Sequence, residues 1–213
     1  MDTCKYLGVV VSNDLRWNKH VLYCKTKATK TLNFIRRNLY SCNQEAKKLA
    51  YVSLVRPHLE YASAAWDVNT QANINTLESV QKRAARFIVR NYNWDASASQ
   101  LVKELQLPTL SERRKHSRLV IFYKAVNGIS PISLSHLSTS SRLTRSSSSG
   151  LCFNHLQPKT NCFKYSFFPR TVVDWNSLDP NIRNKLSVDS FKTSLDNLLS
   201  LRCIESNNII NYY

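Results

Sequence analysis

Glycine is scarce in this chain, with 3 residues in 213. That scarcity argues against glycine-rich phosphate loops and against an all-β fold rich in tight turns. Acid is scarce too: 14 Asp and Glu stand against 30 Lys and Arg, a formal net charge of +16. No two acidic residues are adjacent, and there is no His-Glu-x-x-His, Gly-x-Ser-x-Gly or Walker loop. The five histidines are scattered. No apolar run approaches the roughly 20 residues of a membrane span. The opening apolar run is too short, and too soon polar, for a signal peptide. The six cysteines, at positions 4, 24, 42, 152, 162 and 203, form no Cys-x-x-Cys pair. Without a secretory signal they read as reduced thiols in an intracellular protein. Cys152, His155 and Cys162 are the best metal candidates, but they lack a clear fourth ligand. His20 and Cys24, one helical turn apart, have no second pair nearby. No metal site and no catalytic residue is assigned.

What is present is charge of one sign on helical patterns. A surplus this large favours a polyanionic partner, either nucleic acid or an acidic membrane face. The chain is 43% hydrophobic, enough for one sizeable core or two small ones. It opens on Lys5-Tyr6-Leu7-Gly8-Val9-Val10-Val11, which reads as a strand closed by a turn at Ser12-Asn13-Asp14. Gly8 within it suggests a bulge or a close approach by another chain or a ligand. Residues 18–39 carry Val21, Cys24, Ala28, Leu32, Ile35 and Leu39 at helical steps. The other faces carry Lys19, His20, Lys25, Lys27, Lys30, Arg36 and Arg37, and no acid lies between Asp14 and Glu45. Residues 1–56 hold eleven Lys and Arg against three Asp and Glu, half of the whole surplus. A solvated helix face usually mixes signs, so this pattern favours a helix that faces phosphates.

Ser41 and Gln44 have capping-box spacing and open a second helix, which Pro57 should kink or end. His58 to Trp66 continues as a small-residue helical segment. A helix over about 73–91 turns Ile74, Leu77, Val80, Ala84 and Ile88 inward. It carries Lys82, Arg83, Arg86 and Arg90 as a second basic ridge. A short helix covers Ser97–Leu105. Thr109 and Glu112 form another capping box, and Gly128 is a natural C-terminal cap for the helix they start. Arg113, Arg114, Lys115 and Arg118 crowd its first turns. Cations there oppose the helix dipole, so something other than helix stability places them. Residues 133–149 hold nine serines and read as a flexible linker. Beyond it, Leu151–Leu156 and Cys162–Phe168 read as two strands, and Thr171–Leu178 and Val188–Leu201 as helices.

Aromatics interleave with the basic residues: Trp17, Tyr23, Phe34, Tyr40, Trp66, Phe87, Tyr92 and Trp94. Exposed rings can stack on bases. Most of these belong to a core on general grounds, with about two exposed enough to stack.

Several segments, taken in order, carry a family resemblance. They are Lys5-Tyr6-Leu7-Gly8-Val9 with Leu15-Arg16-Trp17-Asn18-Lys19-His20, Leu54-Val55-Arg56-Pro57-His58-Leu59-Glu60-Tyr61-Ala62 with Trp66, and Leu77-Glu78-Ser79-Val80-Gln81-Lys82-Arg83-Ala84-Ala85-Arg86. Leu107-Pro108-Thr109-Leu110-Ser111-Glu112-Arg113-Arg114, Phe168-Pro169-Arg170 with Trp175-Asn176-Ser177-Leu178, and Ser190-Phe191-Lys192 follow. Nearly the whole chain resembles the C-terminal part of the reverse transcriptases of non-LTR (LINE-type, jockey-like) retrotransposons.

The resemblance implies a piece rather than a whole. Tyr6, Leu7 and Gly8 map to the primer grip, and Gly8 would let the primer phosphates come close. Residues 1–17 would be the end of the palm and 18–132 a basic helical thumb. The serine-rich linker covers 133–150, a small α+β segment 151–205 and a tail 206–213. The expected fold is therefore mainly α, with an N-terminal strand-turn. Candidate nucleic-acid contacts are Lys19, Lys25, Lys27, Lys30, Arg36, Arg37, Lys82, Arg83, Arg86, Arg90, Arg113 and Arg114. The family's catalytic aspartates and the Mg ions they hold lie upstream, so this chain carries no cofactor of its own. The implied partners are RNA, RNA–DNA or DNA duplexes, and the missing palm and fingers. The implied location is intracellular, nuclear or cytoplasmic. The alternative is a non-enzymatic basic helical scaffold for a protein or an anionic membrane.

Overall fold

The computed structural model describes residues 3–93, 95–139 and 151–208, and among these the chain is mainly helical. It divides into two compact units, Met1–Arg113 and Arg114–Tyr213. The division falls inside the expected 18–132 body, within the helix Leu110–Val126.

The first unit opens with a hairpin rather than one strand. β1 (Thr3–Tyr6) pairs antiparallel with β2 (Val9–Ser12), Tyr6 opposite Val9. The turn is Leu7-Gly8, both at positive φ (43° and 84°), the pattern of a two-residue hairpin turn whose twist matches its strands. A leucine in that region costs about 1–2 kcal/mol, which is why no sequence signal marks the turn. Gly8 sits in the hairpin turn rather than at a bulge. A Cβ there would meet Tyr61 Cε1 at 3.3 Å, and the Tyr61 hydroxyl donates to the Leu7 carbonyl at 3.1 Å.

α1 (Asn18–Asn38) buries His20, Val21, Cys24, Ala28, Leu32 and Ile35. His20 ties the hairpin to it. The Val10 amide donates to His20 Nδ1 at 3.1 Å, and Nε2 lies 3.4 Å from the Cys24 sulfur. The ring also meets Trp66 edge-on at 4.7 Å. Burial lowers the imidazole pKa and raises the Cys24 thiol to about 11, so both stay neutral near pH 7.

α2 (Gln44–Ala50) is capped by Asn43, whose side chain accepts from the Ala46 amide. The expected Ser41–Gln44 box is displaced by a residue that caps equally well. Pro57 does not end the helical run, which continues to Glu60. The backbone widens into a π-turn at Tyr51–Val55, where the Arg56 amide reaches the Tyr51 carbonyl, and α3 (Arg56–Glu60) starts with the proline near its N-terminus. A proline is tolerated there because its missing N–H is not required. The helix stops at Glu60, and residues 61–65 turn. Trp66 is buried beyond them, its indole donating to the Tyr61 carbonyl at 2.8 Å.

α4 (Gln71–Val89) packs Leu77, Val80, Ala84, Phe87 and Ile88 into the same core as α1. The two helices run parallel. Asn73 bonds Asn18 at their starts, and Arg90 donates to the Tyr40 carbonyl at their ends. Buried polar groups are linked rather than isolated: Tyr51 donates to Gln81 Oε1 at 2.8 Å, and Gln81 donates to the Pro108 carbonyl at 2.9 Å. Burial pushes the Tyr51 phenol above its usual range. α5 (Ala98–Glu104) is capped by Ser97. The Thr109–Glu112 capping box then forms as read from sequence, with the Thr109 amide to Glu112 Oε2 at 3.0 Å and the Glu112 amide to Thr109 Oγ1 at 3.1 Å.

That box opens α6 (Leu110–Val126), which ends at Gly128, φ 68°. The second unit is built on α6 residues, α7 (Asn161–Lys164), α8 (Phe167–Asn176), α9 (Pro180–Arg183) and α10 (Val188–Asn208). Phe122 sits between Phe153 and Trp175 at 5.4 and 5.2 Å, and Tyr123 stacks on Phe191 at 4.2 Å. Each such buried ring contributes about 1.5–3 kcal/mol by burial alone. The strands expected at 151–156 and 162–168 do not form as such. Phe153 makes an isolated bridge with Thr139, and residues 161–164 and 167–176 are helical. Asn176 takes the place of a second strand, its carboxamide donating to the Phe153 carbonyl at 2.7 Å and accepting its amide at 3.2 Å. Of the serine-rich stretch, residues 140–150 lie outside the described residues, as do Trp94 and 209–213.

Candidate nucleic-acid interface

The candidate cations of the first unit follow helix geometry. On α1, Lys19, Lys30 and Arg37 are eleven and seven residues apart. They fall on one line opposite the buried stripe, and all three are exposed. Lys25 and Arg36, eleven apart and half-buried, run along one flank, and exposed Lys27 lies on the other. On α4, Arg83, Arg86 and Arg90 recur at steps of three and four, with exposed Lys82 beside them.

Each end of α1 carries aromatics. At the hairpin, Tyr6 and Leu7 are 69% and 73% exposed, so two of the three expected grip residues stand free at the tip while Gly8 faces Tyr61. Tyr23 lies between two ammonium groups, Lys27 at 4.8 Å and Lys5 at 5.1 Å from its ring. Hydrogen bonding to Lys27, then Lys5, lowers the phenol pKa, and the same bond raises that of Lys27. At the other end Arg36 lies over Tyr92 at 5.9 Å and Arg90 over Tyr40 at 5.1 Å. Cation–π contact holds both guanidinium groups against rings that keep their other side open to solvent. Of the seven interleaved rings among the described residues, Phe34, Tyr40 and Tyr92 are exposed, against about two expected of the eight. Trp66 and Phe87 are buried, and Trp17 and Tyr23 are half-buried.

The cations named from sequence divide here. Arg113 is turned inward onto Glu60, with a second guanidinium bond at 2.9 Å, and Arg56 approaches the same carboxylate at 3.6 Å. Burial, then the Arg113 charge, lowers the Arg56 pKa. Arg114 is fully buried in the second unit. Its neighbours Lys115 and Arg118 both reach Asp174, at 2.6 and 2.8 Å. The basic first turns of α6 therefore face acidic partners more than fifty residues away in sequence, which offset the unfavourable dipole. Lys47, not singled out from sequence, is buried beneath Phe87. A single lysine in a short helix gives no signal of that.

Of the metal candidates, Cys152 accepts from Arg183, while His155 and Cys162 are exposed. No helix among the described residues is long and apolar enough to cross a membrane.

Against known proteins, the chain is 24% identical over 120 residues to a Drosophila melanogaster protein named "Probable RNA-directed DNA polymerase from transposon X-element". The match covers 54% of this chain and 13% of that protein's length. No family model and no solved structure matches the chain.

Proposed function

We propose that the chain is the C-terminal part of a non-LTR retrotransposon reverse transcriptase, holding primer grip, thumb and the segment after it. It grips template–primer nucleic acid and leaves phosphoryl transfer to aspartates and Mg ions of a palm outside it. The observation that carries this reading is the exposed line Lys19–Lys30–Arg37 on α1. Lys25 and Arg36 flank it and α4 carries a second basic ridge, with no carboxylate paired to these side chains among the described residues. Cations kept apart from carboxylates neutralise phosphates and release counterions, which gives sequence-independent affinity. The exposed Tyr6-Leu7 tip suits a ribbon that lies along a primer end. Similarity to a region of a transposon polymerase supports the same reading.

The test is binding of an RNA–DNA hybrid as salt is raised. With about six phosphates neutralised, affinity falls roughly a thousandfold between about 50 and 200 mM. Affinity that stays constant would end the reading. Purified chain yields no primer extension, and extension would contradict the placement of the catalytic groups elsewhere. Capture by phosphatidylserine vesicles that nucleic acid does not displace would support the scaffold alternative instead.

A further inference from the structure

Where α1 and α4 end side by side, the charges go beyond what the fold needs. Lys47 is 1% exposed, its Nζ 5.2 Å from the centre of the Phe87 ring. Burial, then the nearby Arg90 cation, lowers its pKa. No carboxylate among the described residues pairs with Lys47, Arg36, Arg37 or Arg90. With its stem enclosed, a second cation near its head and no anion, this lysine costs stability, and an apolar side chain of similar length would fill the same space. At the same helix ends are two tyrosines, Tyr40 at 66% and Tyr92 at 53% exposure. Each is braced on one face by an arginine, and Arg90 is held there by its bond to the Tyr40 carbonyl.

We infer that the joined ends of α1 and α4 take an unpaired stretch of nucleic acid, its bases on Tyr40 and Tyr92 and a phosphate on Lys47 and Arg90. This rests on the nucleic-acid reading above but differs from duplex gripping, which uses the Lys19–Lys30–Arg37 line. A duplex hides its base faces, whereas an unpaired strand offers them to a ring already backed by a guanidinium. The phosphate supplies the anion that Lys47 lacks.

The experiment compares a labelled oligouridylate with a blunt RNA–DNA hybrid by fluorescence anisotropy, using the full chain. Tyr40→Leu with Tyr92→Leu lowers affinity for the single strand about tenfold or more and weakens the hybrid far less, only through the loosened Arg36 and Arg90. Lys47→Met also weakens single-strand binding, yet raises the thermal unfolding midpoint, which a merely structural lysine would not do. The inference is overturned if the tyrosine pair weakens both ligands equally or neither, or if Lys47→Met destabilises the protein. Wild-type chain that binds the hybrid and not the single strand defeats this inference alone. Chain that binds neither defeats the broader reading with it.

Discussion

Met1–Arg113 and Arg114–Tyr213 use the same residue types in opposite ways. In the first unit, most cations of α1 and α4 stand outward, with Arg36 and Arg90 braced on tyrosines and the half-buried Arg86 on the Ala96 carbonyl, and the neutral His20 and the Tyr51–Gln81 relay are among its internal polar anchors. In the second, Arg118 is buried and joined to Asp174 and Thr171, and Lys115 shares that aspartate. Apart from Lys47, enclosed without an acid, these cations are surface charges or internal struts according to whether an acid waits for them. Only the first kind is available to a polyanion.

The sharpest way to break this contrast is to remove the acid. Asp174→Ala removes the acid that the buried Arg118 shares with Lys115 and costs about 3 kcal/mol, read as a fall in urea unfolding midpoint. A cost under about 1 kcal/mol would make Arg118 a solvated residue. Glu60→Gln, which takes the charge from the acceptor that Arg113 and Arg56 share, costs less, about 1–2 kcal/mol. His20 gives a smaller, pH-dependent effect. Its pKa is held below the 6.5 of the free imidazole by burial, so the folded state binds fewer protons than the unfolded one. The stability tied to its neutral form is complete above pH 6.5 and drains as pH falls through the lowered value. His20→Gln, which keeps an acceptor for the Val10 amide, flattens that decline between pH 7 and 5, and an unchanged slope would assign it to other groups. Replacing Lys19, Lys30 and Arg37 by glutamine has the smallest effect on folding, within about 0.5 kcal/mol. A large loss would place these residues among the struts.

Much of the helical framework was legible, because periodicity is a local property. The stripe from Val21 to Ile35 and that from Leu77 to Ile88 are buried as spaced, and Thr109 with Glu112 and Gly128 mark their helix ends by side-chain chemistry within four residues. Where tertiary contacts decide, the reading slipped. Leu7 adopts a backbone that leucine disfavours because Tyr61, far along the chain, closes over the turn. Aromatic density over 162–168 favours a strand on its own, but Phe167, Phe168, Val172 and Trp175 pack from one helix onto the second core. The sorting of cations was hidden for the same reason. Arg113 and Arg36 look alike in sequence, and only the fold brings Glu60 to one and Tyr92 to the other.

The claim that the first unit's outward cations form the phosphate-facing surface is tested most directly by the salt dependence of hybrid binding in two variants. Lys19→Gln with Lys30→Gln and Arg37→Gln lowers the slope of log K against log salt by about 2–3, at roughly 0.7–0.9 per phosphate contact. Lys159→Gln with Lys164→Gln, which removes exposed cations of the second unit, leaves it unchanged. An unaltered slope in the first variant, or an equal drop in the second, would contradict the account.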